Sequence, residues 1–161
     1  MKKPVFYLCL LGFSLIFMGC PYESMVPIDQ PNVKVEKANL GSWKNVATES
    51  SYEYVVTQDG DYVYEIEEIT FGSEGSENTS KFYKGHISDV NGQKFMNLKG
   101  QEKDDSYMLF KVDMNGSEVV FSDVTPHIQE TFSRSSDLKT FIAEHMHLSF
   151  FFGEENTYSK K

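Results

Sequence analysis

Four histidines, two cysteines and several carboxylate clusters are the residues of this chain with chemistry in reach. Glu144-His145-Met146-His147 is the most metal-like patch: in a strand, His-x-His puts two imidazoles on one face, and His127 would supply a third nitrogen. On a helix, His145 instead extends an apolar stripe to the C-terminal end, where the dipole favours a cationic imidazole, and His147 faces solvent. No cysteine or clustered carboxylate completes a coordination set, so no metal is expected. His86, Ser88 and Asp89 stand close together as a nucleophile and its base would. Adjacent strand residues point to opposite faces, however, and Ser88 lacks the strained turn of a Gly-x-Ser-x-Gly elbow. Glu65, Glu67 and Glu68, or Asp104 and Asp105, are paired carboxylates. Glycoside chemistry needs one such group raised in pKa across a sugar-sized cleft, and solvated strand edges and turns explain them better. No phosphate-binding glycine loop, dinucleotide fingerprint or zinc cysteine pair occurs. Neither enzymatic activity nor a cofactor is expected.

The chain has 161 residues, with 15 basic and 24 acidic. Met1-Lys2-Lys3 is a positive start, residues 4–18 are uncharged and mostly apolar, and Gly19-Cys20 ends the run with a small residue before a thiol. That is the layout of a removable export signal over residues 1–19, shorter than the ~18–20 apolar residues of a spanning helix. Its removal leaves 142 residues, one domain's worth, with 13 basic against 24 acidic residues and a charge of −11. Such a charge repels phosphate backbones, so nucleic acid is not an expected partner. At 40% hydrophobic and 14% aromatic residues, the remainder is too apolar for a disordered chain. Cys9 leaves with the signal, and Cys20 alone cannot form an intrachain disulfide.

Phe17-Met18-Gly19-Cys20 resembles the lipobox of bacterial lipoproteins, although that family prefers Leu at the position of Phe17 and Ala or Ser at that of Met18. The resemblance implies that Cys20 becomes the new N-terminus, acylated with two or three chains that hold it to membrane lipid. It also implies a place in the bacterial cell envelope, at the outer membrane. One chain binds marginally, at about 0.8 kcal/mol per buried methylene, whereas two or three hold firmly. Pro21, Pro27 and Pro31 punctuate a stretch with little apolar periodicity, so residues 20–39 are expected to be the lipidated cysteine and an extended tether. At ~3.1 Å per residue it would hold the folded part up to about 60 Å from the lipid.

From Leu40 onward short runs of Tyr, Phe, Val and Ile alternate with turn signals. Strands are expected near 40–46, 52–57, 61–71, 81–90, 94–99, 106–113 and 118–124. Asp59-Gly60, Asn91-Gly92 and Asn115-Gly116 mark three tight hairpins whose central residues take positive φ. The apolar phase jumps between Ile66 and Ile69, which puts a bulge or bend near Glu67-Glu68, and residues 72–80 form a solvated loop. A helix is expected over 136–146, capped by Ser135 or Ser136, with Leu138, Phe141, Ile142, His145 and Met146 on its packed face. Residues 150–152 and 157–158 are final strand material split by an acidic turn at 153–156, and 125–134 is either an eighth strand or a connecting loop. The fold class is all-β with one helix: an antiparallel barrel or strongly coiled sandwich of about eight strands, with the helix packed on it.

Gly41-Ser42-Trp43, at the start of the first strand, resembles the Gly-x-Trp motif of the lipocalins. The resemblance implies a lipocalin-like β domain over 40–161, a tryptophan, Trp43, that closes one end of the barrel, and a late helix before the last strand. The lipocalins' Thr-Asp-Tyr motif is missing. So is the late arginine that covers the tryptophan, for which Arg134, the only arginine, is a substitute. Aromatic residues on successive strands either fill a small barrel or line a cavity. Tyr54, Tyr62, Tyr64, Phe95, Tyr107, Phe110 and Phe121 are the candidate lining. Two functions follow: a lipid-anchored binding module for a small apolar ligand, or a filled-core accessory subunit of an outer-membrane protein complex.

Overall fold

The computed structural model describes residues 22–47, 52–72, 77–101 and 105–161. The export signal, Cys20, Pro21, Asp104 and part of the 72–80 loop lie outside them. After a two-residue strand β1 (Glu23–Ser24) come β2 (Gly41–Asn45), β3 (Tyr52–Asp59), β4 (Val63–Thr70), β5 (Thr79–Val90), β6 (Gln93–Gly100), β7 (Tyr107–Met114), β8 (Glu118–Val124) and β9 (Phe152–Lys160). From β2 onward each strand pairs antiparallel with the next, and β9 returns to pair with β2. Eight strands thus close a barrel without a free edge, which decides between barrel and sandwich. Helix α1 (Ser135–His145) lies between β8 and β9, as expected, although Arg134 precedes it and no serine side chain caps it.

All three Asx-Gly reversals lie at one end of the barrel, with a short 3-10 helix over Lys37–Asn39 that leads into β2. At Asn91-Gly92 both residues have positive φ, 53° and 88°, and Val90 pairs directly with Gln93. The other two loops are longer, and only the glycines, Gly60 and Gly116, are positive. The opposite end carries the connections from β2 to β3, β4 to β5, and β6 to β7, and the long α1 segment.

Apolar side chains form two cores. Inside the barrel, Trp43, Tyr64, Ile87, Met96, Val112 and Val119 are buried together. Outside it, Val90, Phe95, Leu109 and Val124 meet Leu138 and Ile142 of α1 and Tyr22 and Ile28 of the N-terminal segment. The expected extended tether is therefore corrected over residues 22–39, which pack on the barrel as a strap. Tyr22, Val26 and Ile28 join the outer core and Val33 and Val35 the inner one, at irregular spacing, so the segment shows no single periodicity. Tyr22 donates from its backbone to Val124 O at 3.0 Å and from its hydroxyl to Glu130 O at 2.8 Å. The Ile28 amide donates to Asn97 Oδ1 at 2.7 Å, and Asp29 pairs with Lys139 of α1 at 2.6 Å.

Three local expectations change as well. The β3–β4 register is unbroken through Glu67 and Glu68. The phase jump arises because Glu68 shares a face with Tyr54, whose hydroxyl donates to it at 3.2 Å. Residues 153–156 do not turn, because they continue the ladder of β9 against β8, whose register shifts between Ser122 and Val124. Residues 125–134 contribute no strand and lay Ile128 and Phe132 on the outer core.

Candidate ligand-binding cavity

The Gly-x-Trp segment closes the hairpin end of the barrel. Trp43 points inward, and its indole N–H donates to Asn39 O at 3.1 Å. The 3-10 helix is held across the opening because the Tyr64 hydroxyl accepts from the Glu36 amide at 3.0 Å and from Asn39 Nδ2 at 3.4 Å. Gly41 has φ +123°, and a Cβ there would lie 3.1 Å from Lys160 Cε. Both its conformation and its space therefore call for glycine. Lys160, opposite Trp43 on β9, passes over the indole at 5.8 Å from its centroid. The covering cation is thus Lys160. Arg134, expected in that role, is exposed and pairs with Asp137 at 2.8 Å.

Above Trp43 a cavity of about 180 Å³ runs inside the barrel. Its lining comes from alternate residues of seven strands, among them Tyr54, Val56, Ile66, Met96, Leu98 and Phe110. Tyr54, Tyr64, Phe110 and Phe121 of the expected lining are present. Tyr62 is not: it sits exposed in the closed-end hairpin. Phe95 and Tyr107 also belong elsewhere. They alternate with the inward Met96 and Phe110 and so face out, into the second core. Sequence reasoning missed Tyr158, whose alternation with Asn156 was hidden by the supposed acidic turn. It missed Met96, Leu98 and Met114 as well, by attending to aromatic residues alone.

Four edge-to-face contacts link Tyr52, Tyr54, Tyr158, Phe121 and Phe110 around one wall, with centroids 5.5–6.1 Å apart. Burial pushes the Tyr54 phenol well above its usual range, with Tyr158 and Glu68 adding to the effect, so it stays a neutral donor. The carboxylate on the wall is Asp123. It continues the inward alternation of Val119 and Phe121, opposite the inward Phe110 and at the β8–β9 register shift, and a Cβ at Gly153 would collide with it.

The other chemistry-bearing residues do not gather. His145 Nδ1 donates to Phe141 O at 2.8 Å, and the ring stacks on Phe141. No three His, Cys, Asp or Glu side chains converge among the described residues. His86 and Ser88 share the outer face under the strap, where His86 Nε2 donates to Asp29 O at 2.7 Å and Ser88 Oγ accepts from Asn97 Nδ2 at 2.9 Å. Asp105 pairs with Lys99 at 2.6 Å. No family model matches the chain, and no curated protein or solved structure is significantly similar to it.

Proposed function

We propose that this chain is a lipid-anchored, non-enzymatic lipoprotein of the bacterial cell envelope, at the outer membrane, whose lipocalin-like barrel binds a small apolar ligand. The observation that carries the reading is the cavity of about 180 Å³ with a predominantly apolar wall. An apolar cavity of about 150 Å³ admits benzene, so the ligand is a single ring or a short chain, and Asp123 favours one that also carries a donor or a positive charge. Cys20 supplies the anchor. Native mass spectrometry of the full chain after gentle extraction should show the acylated mass and a small bound mass. A clean apo mass would count against ligand binding, and an unmodified Cys20 against the anchor.

The cavity is smaller than the ~300 Å³ at which ordinary ligand pockets begin, and that size favours a second reading. In it the barrel is an accessory subunit of an outer-membrane protein complex and works through its outside. Crosslinking in intact cells would then recover a stoichiometric membrane partner.

A further inference from the structure

The apolar side chains left in water are concentrated at one end of the barrel. Met25 is 65% exposed, Phe150 61%, Val46 60%, Phe82 47% and Phe71 39%. Met25 follows Ser24, which pairs with Tyr107 at the start of β7. Val46 follows the end of β2 and Phe71 the end of β4, while Phe150 stands two residues before β9. Phe82 is level with the end of β6, its carbonyl accepting from the Gln101 amide at 3.0 Å. Met25, Val46, Phe71 and Phe150 lie at the end opposite Trp43, and Phe82 lies on the outer wall three rungs inside that end, opposite Glu67. Among the described residues, Tyr62 is the exposed large hydrophobic at the closed end. At roughly 25 cal/mol per Å² of apolar surface, such side chains gathered toward one end are costly in water and mark a contact surface. Lysines accompany the rings there, as at membrane interfaces: Lys44 Nζ lies 6.0 Å from the Phe71 centroid and Lys99 Nζ 5.9 Å from that of Tyr107.

The chain enters the structure at this same end. Tyr22 is pinned at the end of β8 by its hydrogen bonds to Val124 and Glu130, and the next two residues, Glu23 and Ser24, pair with the start of β7. Only Pro21 separates Tyr22 from Cys20, and two residues of chain reach at most about 7 Å. We infer that the open rim of the barrel, marked by Met25, Val46, Phe71 and Phe150, lies against a lipid bilayer, with the cavity mouth facing the acyl chains. The inference rests on the reading of Cys20 as the lipid-bearing residue. An anchor so close to the rim leaves no room for a stand-off. An apolar ligand would then pass between bilayer and barrel without crossing water.

Spin labels placed on the full chain in phosphatidylcholine vesicles test this, with acylation of Cys20 read by mass on the same samples. Met25→Cys, Phe71→Cys and Phe150→Cys carry the label at the rim, and Tyr62→Cys carries it at the far end. All four sites are exposed, so the labels leave both cores intact. The rim labels should gain several-fold protection from a water-soluble nickel complex and become accessible to oxygen, while the Tyr62→Cys label stays in water. If the chain is acylated and vesicle-bound but all labels remain in water, or the Tyr62→Cys label is the one that inserts, the orientation is overturned and the anchor stands. The apolar rim would then face a protein. If the rim labels insert in a chain that carries no acyl mass, the rim contact holds and the anchor falls. A chain that is unacylated and fails to bind vesicles overturns both.

Discussion

Lys160 lies opposite Trp43 on the neighbouring strand, with its Nζ 5.8 Å from the indole centroid and donating to Ala38 O at 2.8 Å. One lysine thus ties the last strand both to the closing tryptophan and to the 3-10 helix beneath it. Lys160→Met keeps much of the stem and loses the charge and the donor. It should cost about 1 kcal/mol in urea unfolding and shift Trp43 emission. Gly41→Ala should cost about 1–3 kcal/mol, because alanine resists φ +123° and its Cβ meets the lysine stem. A Lys160→Met protein with parental stability and an unmoved spectrum would show that the lysine does not cover the ring.

Asn97 is the polar pin of the strap. It is fully buried, accepts from the Ile28 amide and donates to Ser88 Oγ and, at 3.2 Å, to His86 O. Asn97→Ala leaves several buried groups unsatisfied and should cost about 2–4 kcal/mol. The first cleavage in limited proteolysis should move into residues 25–35. The exposed pair Lys94–Glu36 is the control, since its removal should cost less than about 1 kcal/mol.

Burial pushes the His86 imidazole below its usual range, against the pull of the Asp29 carbonyl and carboxylate. Its surroundings are Asp29 on the strap, Lys139 of α1 paired to that aspartate, and the Tyr107 ring. Between the lowered folded value and the ordinary value of about 6.5, the unfolded chain binds the extra proton. Stability from this group is complete above about 6.5 and is lost as pH falls toward the folded value. His86→Gln keeps a donor for Asp29 O without titrating, so it should flatten the stability curve in that window. Glu53 acts at lower pH. Burial raises its carboxyl, but the Ser42 hydrogen bond and the charges of Lys161 and Lys44 outweigh it and hold the group below its usual range. Its contribution is present above the ordinary carboxylate value and is lost as pH falls through the lower folded one. An unchanged slope in His86→Gln near pH 6 would remove the imidazole from the account.

Two separate cores predict separate spectroscopic effects. Phe95→Ala should cost about 3–5 kcal/mol and Leu138→Ala about 2–5. Neither should alter folded-state Trp43 emission, because both side chains lie outside the barrel. A shifted Trp43 spectrum in folded Phe95→Ala would return Phe95 to the interior.

The barrel strands and the helix were legible because their alternation and turn chemistry act locally. Asn91-Gly92 announces its hairpin, and Leu138 and Ile142 announce the buried helix face. The lining was half legible. In Phe95-Met96-Asn97-Leu98 both faces are covered, one by the interior and one by strap and helix, so alternation cannot say which residues point inward. The strap was hidden because Tyr22 and Ile28 are held by Glu130 and Asn97, partners 108 and 69 positions away in sequence, which no local pattern reveals. Lys160 carried no signal, since a lysine near a chain end reads as solvated until β9 is placed beside β2.

The central claim is that the interior space takes a ligand, and a thermal-shift titration of the full chain with toluene tests it most directly. Val56 lines the cavity, and Val56→Phe should fill it. The parent should rise in midpoint with toluene concentration, as binding to the folded state requires, and Val56→Phe should not. No rise in the parent, or an equal rise in the filled variant, would contradict the assignment of the cavity as the binding site.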